Sequence, residues 1–136
     1  TPANDAHDPD PQPLFAHVVE VLAPLGLAFV HIIEGATGGE RDYTQGDAPF
    51  DYAALKATYA KAGGTGAWIV NNDYDKADAE AAIESGHADA VAFGRPFIAN
   101  PDLVRRLRED APLNTPDEAT FYGGGDAGYT DYPTLD

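Results

Sequence analysis

The stretch Asp89-Ala90-Val91-Ala92-Phe93-Gly94-Arg95-Pro96-Phe97-Ile98-Ala99-Asn100-Pro101 decides how this chain folds. The apolar run Ala90–Phe93 breaks at Gly94-Arg95, and Asn100-Pro101-Asp102 then opens a helix. The order is strand, tight turn carrying a cation, loop, helix. A glycine in such a turn lets the backbone come close to a ligand. The guanidinium beside it matches phosphate oxygens with forked donors. At the C-terminal end of a parallel barrel strand, the pair reads as a phosphate site. A turn glycine beside a surface arginine is the other reading of the same two residues.

The pattern repeats upstream. Leu14, Val18, Val21, Leu22 and Leu25 recur at helical spacing, and Gly26 ends the run. Thr1–Pro13 before it is polar and proline-rich and reads as loop. Leu27–Ile33 is a continuous apolar run interrupted by His31, the mark of a buried strand in a parallel sheet. Gly35–Pro49 reads as loop. Asp51 caps the next helix, in which Tyr52, Leu55 and Tyr59 share a face, and Gly63-Gly64 stops it. Ala67–Val70 is the second strand, ending at Asn71-Asn72. Asp75 caps a helix over Lys76–Ser85, with Asp78 and Glu80 near its positive end. Asp89–Phe93 is the third strand. A fourth helix takes Asn100 as its cap and Pro101 in its first turn. Leu103 and Leu107 face one way along it, and Arg105, Arg106 and Arg108 complement its C-terminal dipole. After Pro112 the chain turns to Gly, Tyr and Asp. Phe121, Tyr122, Tyr129 and Tyr132 argue for an ordered tail rather than a disordered one.

Strands alternating with helices make an α/β protein with a parallel sheet. Only about three βα units plus the tail can be read, and a closed barrel of this kind takes eight. Such a sheet leaves an open edge and an uncovered inner face.

Composition narrows the function. A chain of 136 residues suits one domain, here 1–136. No apolar run approaches the roughly 20 residues that span a bilayer, and no signal peptide is read ahead of the first element. Cysteine is absent, which excludes disulfides and thiolate metal sites and fits a reducing cytoplasm. The net charge of −15 argues against nucleic acid and anionic membrane as partners. His7, His17 and His87 are scattered without ligand spacing, so no zinc site is expected. His31 is expected in the core or barrel interior. Glu34 ends a strand, an active-site location in barrels, but a pair with a cation in the adjacent loop such as Arg41 explains it equally, and it is not named catalytic. Gly123-Gly124-Gly125 has neither a preceding strand nor a following Gly-Lys-Ser/Thr and is not read as a nucleotide loop.

The ordered series of motifs resembles the old yellow enzyme family, the flavin-dependent ene-reductases. The series runs His31-Ile32-Ile33-Glu34-Gly35, Asn71-Asn72-Asp73-Tyr74-Asp75, the Gly94-Arg95 stretch, Ala111-Pro112-Leu113-Asn114, Thr120-Phe121-Tyr122-Gly123-Gly124-Gly125 and Gly128-Tyr129-Thr130-Asp131-Tyr132-Pro133. It covers nearly the whole chain and is most similar to the bacterial branch that reduces maleimides, nitrate esters and related electrophiles. The resemblance implies the C-terminal part of a (β/α)₈ TIM barrel, beginning just after the fifth strand. Without methionine, and starting at Thr1-Pro2, the chain is expected to be a piece of something longer.

The resemblance further implies FMN as cofactor and NAD(P)H as reductant, with hydride passing to the β-carbon of an activated alkene. Gly94 and Arg95 would hold the FMN phosphate, and Asn71, Asn72 and Asp73 would form its second wall through backbone N–H groups. Phe121 would lie at the flavin edge and Tyr122 at the substrate. Turn chemistry for the asparagines and simple aromatic packing for the tail remain open alternatives. The family's carbonyl-gripping pair, proton donor and ring contacts match nothing here, so no catalytic residue is assigned. A complementary N-terminal barrel chain or segment is the implied partner. Two rivals stand beside this: a flavin-free phosphate-binding barrel enzyme, and a non-enzymatic half-barrel that self-associates.

Overall fold

Side-chain alternation along three short strands sets the architecture of the computed structural model, which describes residues 8–37, 39–41 and 49–136. Strands β1 (Phe29–Ile33), β2 (Ala67–Asn71) and β3 (Ala90–Ala92) form a parallel sheet in sequence order. Val30 pairs with Trp68, and Val70 with Val91. The chain falls into two compact units, Thr1–Ala92 and Phe93–Asp136.

In the first unit, helices α1 (Pro11–Leu22), α2 (Tyr52–Lys61) and α3 (Lys76–Glu84) accompany the sheet. Val30, Trp68 and Val70 on one sheet face meet Val19, Leu55, Tyr59 and Ala82 in the core. On the other face Phe29 is 54% exposed and Ile33 39% exposed. His31 is exposed on that same open face, outside the core of this unit.

Local physics explains the helix starts. The Asp51 side chain accepts the Ala54 N–H, and the Asp75 side chain accepts the Asp78 N–H, both at 2.8 Å. Each satisfies a first-turn donor that has no partner within its helix. Pro11 begins α1 inside the stretch expected to be loop, because a first-turn proline lacks only an N–H that the helix does not use. A single 3₁₀ turn, Ala23–Leu25, then carries α1 to Gly26.

The apolar stripe expected to pack from α1 is not the one that does. Val19 is buried, whereas Leu14, Val18, Val21 and Leu25 are exposed. The helix is apolar on two faces and buries one of them within its unit. The expectations for Thr1–Ala6, His7, and the part of the Gly35–Pro49 loop at 38 and 42–48 lie outside the described residues.

Gly66 enters β2 where the backbone crosses another segment. A Cβ there would meet the Leu27 carbonyl oxygen and the Tyr59 hydroxyl, which already accepts the Gly66 N–H. Gly66→Ala is expected to lower stability by about 1–3 kcal/mol through overpacking. Urea unfolding followed by far-UV circular dichroism measures this, and an unchanged midpoint would contradict the close approach.

The second unit corrects the expected fourth helix. Its helix starts at Arg95 as α4 (Arg95–Ala99), and a separate α5 spans Leu103–Glu109. Asn100 closes α4 instead of opening the next helix, and Asp102 precedes α5. The reason is tertiary. Asn100 is fully buried, donates to the Pro96 carbonyl at 2.8 Å and accepts the Asn114 N–H at 2.7 Å.

Candidate functional site

The strand ends of the first unit are stitched side by side. The Glu34 N–H donates to the Asn71 carbonyl at 3.0 Å, one step beyond β1. The Asn71 amide donates to the Ala92 carbonyl at 2.7 Å, reaching the end of β3. The Asn72 amide donates to the carbonyls of Glu34 and Ala36 at 2.7 and 2.9 Å. Asn72 and Asp73 both take left-handed backbone, with φ of 104° and 50°. Asn and Asp tolerate that region better than other non-glycine residues. The side chains of Asn71 and Asn72 are therefore committed to the chain itself.

Around this turn the structure gathers residues that the sequence did not mark as a group. Glu34 is 3% exposed. It accepts the Tyr74 hydroxyl at 2.6 Å, and His87 Nε2 lies 2.6 Å from its other oxygen. The expected Glu34–Arg41 pair does not form. Arg41 instead bonds Asp78 at 2.8 Å and lies 4.0 Å over the Tyr74 ring. Its charge gains both an ion pair and a cation–π contact. Burial, then the bond to Glu34, pushes the Tyr74 hydroxyl above its usual range, so it stays a donor at neutral pH. Burial also raises Tyr52, whose hydroxyl accepts the Gly35 N–H at 2.7 Å. Burial opposes the Arg41 charge, but the bond and attraction to Asp78 outweigh it and raise its pKa.

Glu34, Arg41, Tyr52, Tyr74 and His87 line a cleft of about 590 Å³ that also touches α3. It lies on the helix-covered side of the sheet, not the open side. Among the described residues no group of three His, Cys, Asp or Glu side chains is placed to hold a metal. Nor is any helix long and apolar enough to cross a membrane.

In the second unit, Gly94 immediately precedes α4 with φ of −92°, and a Cβ there would meet nothing within 4 Å. Neither the backbone nor the surrounding chain calls for a glycine at that point. The Arg95 guanidinium is half-exposed and 3.9 Å from Glu118. Phe121 and Tyr122 sit edge to face, 6.4 Å apart, just after a 3₁₀ turn at Glu118–Thr120. Tyr122 is 95% exposed, so packing of the tail aromatics does not by itself order the tail. Arg106 and Asn114 do much of that work, through bonds to the carbonyls of Pro112, Pro133 and Ala99. Their side-chain types carried no signal for it; only the fold reveals it.

Comparison with known proteins gives these segments a context. Residues 15–114 match the model of the NADH:flavin oxidoreductase / NADH oxidase family. A probable flavin mononucleotide-dependent alkene reductase of Leishmania infantum is 39% identical, over 97% of this chain and 33% of its own. Morphinone reductase solved in complex with tetrahydroNAD matches at a TM-score of 0.78 and 39% identity, covering 97% of this chain and 32% of that one. The old yellow enzyme of Trypanosoma cruzi matches at a TM-score of 0.77 and 39% identity, covering 93% and 30%. The chain spans 33–41% of the length of the first curated relatives it matches. The Leishmania infantum relative is described as flavin mononucleotide-dependent, and the morphinone reductase structure holds tetrahydroNAD. The chain belongs to the NADH:flavin oxidoreductase / NADH oxidase family, and its three-stranded α/β fold matches 30% of that old yellow enzyme.

Proposed function

We propose that this chain is the C-terminal part of a (β/α)₈ barrel, 1–136 lying within one FMN-binding domain that reduces activated C=C bonds with NAD(P)H. The substrates are α,β-unsaturated carbonyl or nitro compounds. Bound FMN supplies the hydride relay between nicotinamide and alkene. This chain's share is to hold the cofactor phosphate and border the pocket; the groups that activate the substrate belong to other segments.

The observation that carries the reading is Gly94. It is a glycine that neither φ nor neighbours require, with open space at its Cβ position and a half-exposed arginine next to it. That is what close approach of a phosphate to backbone needs. Arg95 supplies the charge, and the turn Asn71–Asp73 contributes main-chain groups, its asparagine side chains being spent elsewhere. Phe121 is assigned to the flavin edge and Tyr122 to the substrate, an exposed tyrosine offering both a ring face and a hydroxyl.

The uncovered sheet face at Phe29 and Ile33 and the bare α1 stripe are the surfaces that a complementary N-terminal barrel segment would cover. Exposed apolar patches of this kind mark contact surfaces.

The test uses the flavoprotein containing this chain. Arg95→Ala is expected to weaken FMN by roughly 1.5–3 kcal/mol, the range for a hydrogen bond to a charged group. Riboflavin, which lacks the phosphate, should bind Arg95→Ala and the parent alike. Gly94→Val should likewise weaken FMN more than riboflavin. Equal FMN affinity in Arg95→Ala and the parent would remove Arg95 from the phosphate site. A visible flavin absorbance band in the parent separates the proposal from a flavin-free barrel enzyme.

A further inference from the structure

We propose that Glu34 is a positioning residue for the cofactor phosphate, acting through the turn Asn71–Tyr74; this rests on the phosphate reading above. Left-handed backbone at Asn72 and Asp73 is strained. Strained backbone persists only where its surroundings over-determine it. Glu34 does this from both its backbone and its side chain.

Its N–H holds the Asn71 carbonyl, and its carbonyl holds the Asn72 amide. Its carboxylate takes the Tyr74 hydroxyl. The fourth residue, Asp73, is reached by Arg41, whose guanidinium lies 3.4 Å from the Asp73 carbonyl, stacks on Tyr74 and pairs with Asp78. Every residue of the turn is thus tied to Glu34 or Arg41. The remaining carboxylate oxygen lies 2.6 Å from His87 in the segment that leads into β3, so the same side chain spans the approach to the neighbouring strand.

A buried carboxylate with both oxygens engaged is a costly thing to keep. A turn that needed only to reverse direction would not require it. A turn whose main-chain N–H groups must face an anion within a fraction of an ångström does. Glu34 touches neither cofactor nor substrate in this scheme. Its effect passes through Tyr74 and Asn72.

The test compares FMN with riboflavin, since a general loss of structure weakens both and a displaced phosphate wall weakens only FMN. In the flavoprotein containing this chain, Tyr74→Phe and Glu34→Gln are expected to raise the FMN dissociation constant roughly tenfold while moving that of riboflavin less than about twofold. Tyr74→Phe deletes one hydroxyl and tests the link should Glu34→Gln fold poorly. Equal weakening of both ligands, or no change in either, overturns the inference. If Arg95→Ala still shows its FMN-specific loss in that case, the phosphate reading stands without Glu34. If Arg95→Ala also fails to distinguish the ligands, the phosphate reading falls and takes this inference with it.

Discussion

Trp68→Ala is expected to remove about 3–5 kcal/mol of unfolding free energy, the usual loss when a large aromatic leaves a core. Against a total of roughly 5–15 kcal/mol for a domain, that is a loss of at least about a fifth of the margin. Trp68 is 1% exposed on β2, the central strand of the sheet, with its ring 5.7 Å from that of Tyr59. Val30 is its register partner on β1. The backbone at this point is braced separately. The Trp68 N–H donates to the Asp89 carboxylate at 2.6 Å, and the Asp89 N–H returns to the Trp68 carbonyl at 2.8 Å. The first of these bonds, then Lys56, holds the Asp89 carboxyl below its usual range. Trp68→Ala keeps the brace and empties the core, so its effect isolates packing. Far-UV circular dichroism in urea is the measurement, because Trp68 is the chain's single tryptophan and its fluorescence goes with it. Trp68→Phe should recover part of the loss. A Trp68→Ala midpoint equal to the parent's would mean that the core does not centre on β2.

The same strand shows what was legible in the sequence. An apolar run bounded by glycines and asparagines identifies β2 because both its cause and its signal are local. Asp51 and Asp75 were legible as caps for the same reason, each meeting an N–H three residues on. Asn100 was misread because its amide is spent on Asn114, fourteen residues away, and a local rule for Asn-Pro cannot see that. The start of α4 at Arg95 was hidden behind a Gly-Arg-Pro sequence that looks like a turn but also suits a first helical turn. On α1 the helical period was correct while the buried face was not. A helix apolar on two sides does not say which side its own unit covers. At the candidate site, Asn71-Asn72-Asp73 could be recognised as a turn. That Glu34 would bind Tyr74 rather than Arg41 depends on how β1, β2 and the following loops meet in space. The tail's aromatics point to order, yet Tyr122 is almost wholly exposed and buried polar groups carry much of that order.

Those polar groups converge on Arg106, and Arg106→Met is expected to cost about 3–5 kcal/mol, the range for breaking a buried ion pair by removing one partner. Arg106 is 4% exposed. Its Nε donates to Asp102 at 2.7 Å, one terminal nitrogen donates to the Pro112 carbonyl, and the other reaches the Pro133 carbonyl at 2.8 Å. One side chain on α5 therefore holds the start and the end of the tail. Methionine keeps the apolar stem and deletes every donor, which separates charge from packing. Amide hydrogen exchange across 111–117 and 132–135 should rise by roughly a hundredfold or more, with α5 itself less affected. The second oxygen of Asp102 accepts the Leu135 N–H at 2.8 Å. That bond, then Arg106, holds the Asp102 carboxyl below its usual range. A lowered carboxyl contributes its stability in full above the ordinary aspartate value of about 3.9 and loses it as pH falls through the folded value. Tail protection in the parent should accordingly persist from neutral pH down to that region and fade below it. Without Arg106 the carboxyl is less depressed, so in Arg106→Met the pH-dependent loss should be smaller and should be complete at higher pH. Unchanged exchange at 132–135 in Arg106→Met would show that the tail is ordered without this guanidinium, and the ordering would then have to come from Asn114, which joins the Ala99 and Pro133 carbonyls at 2.8 Å each.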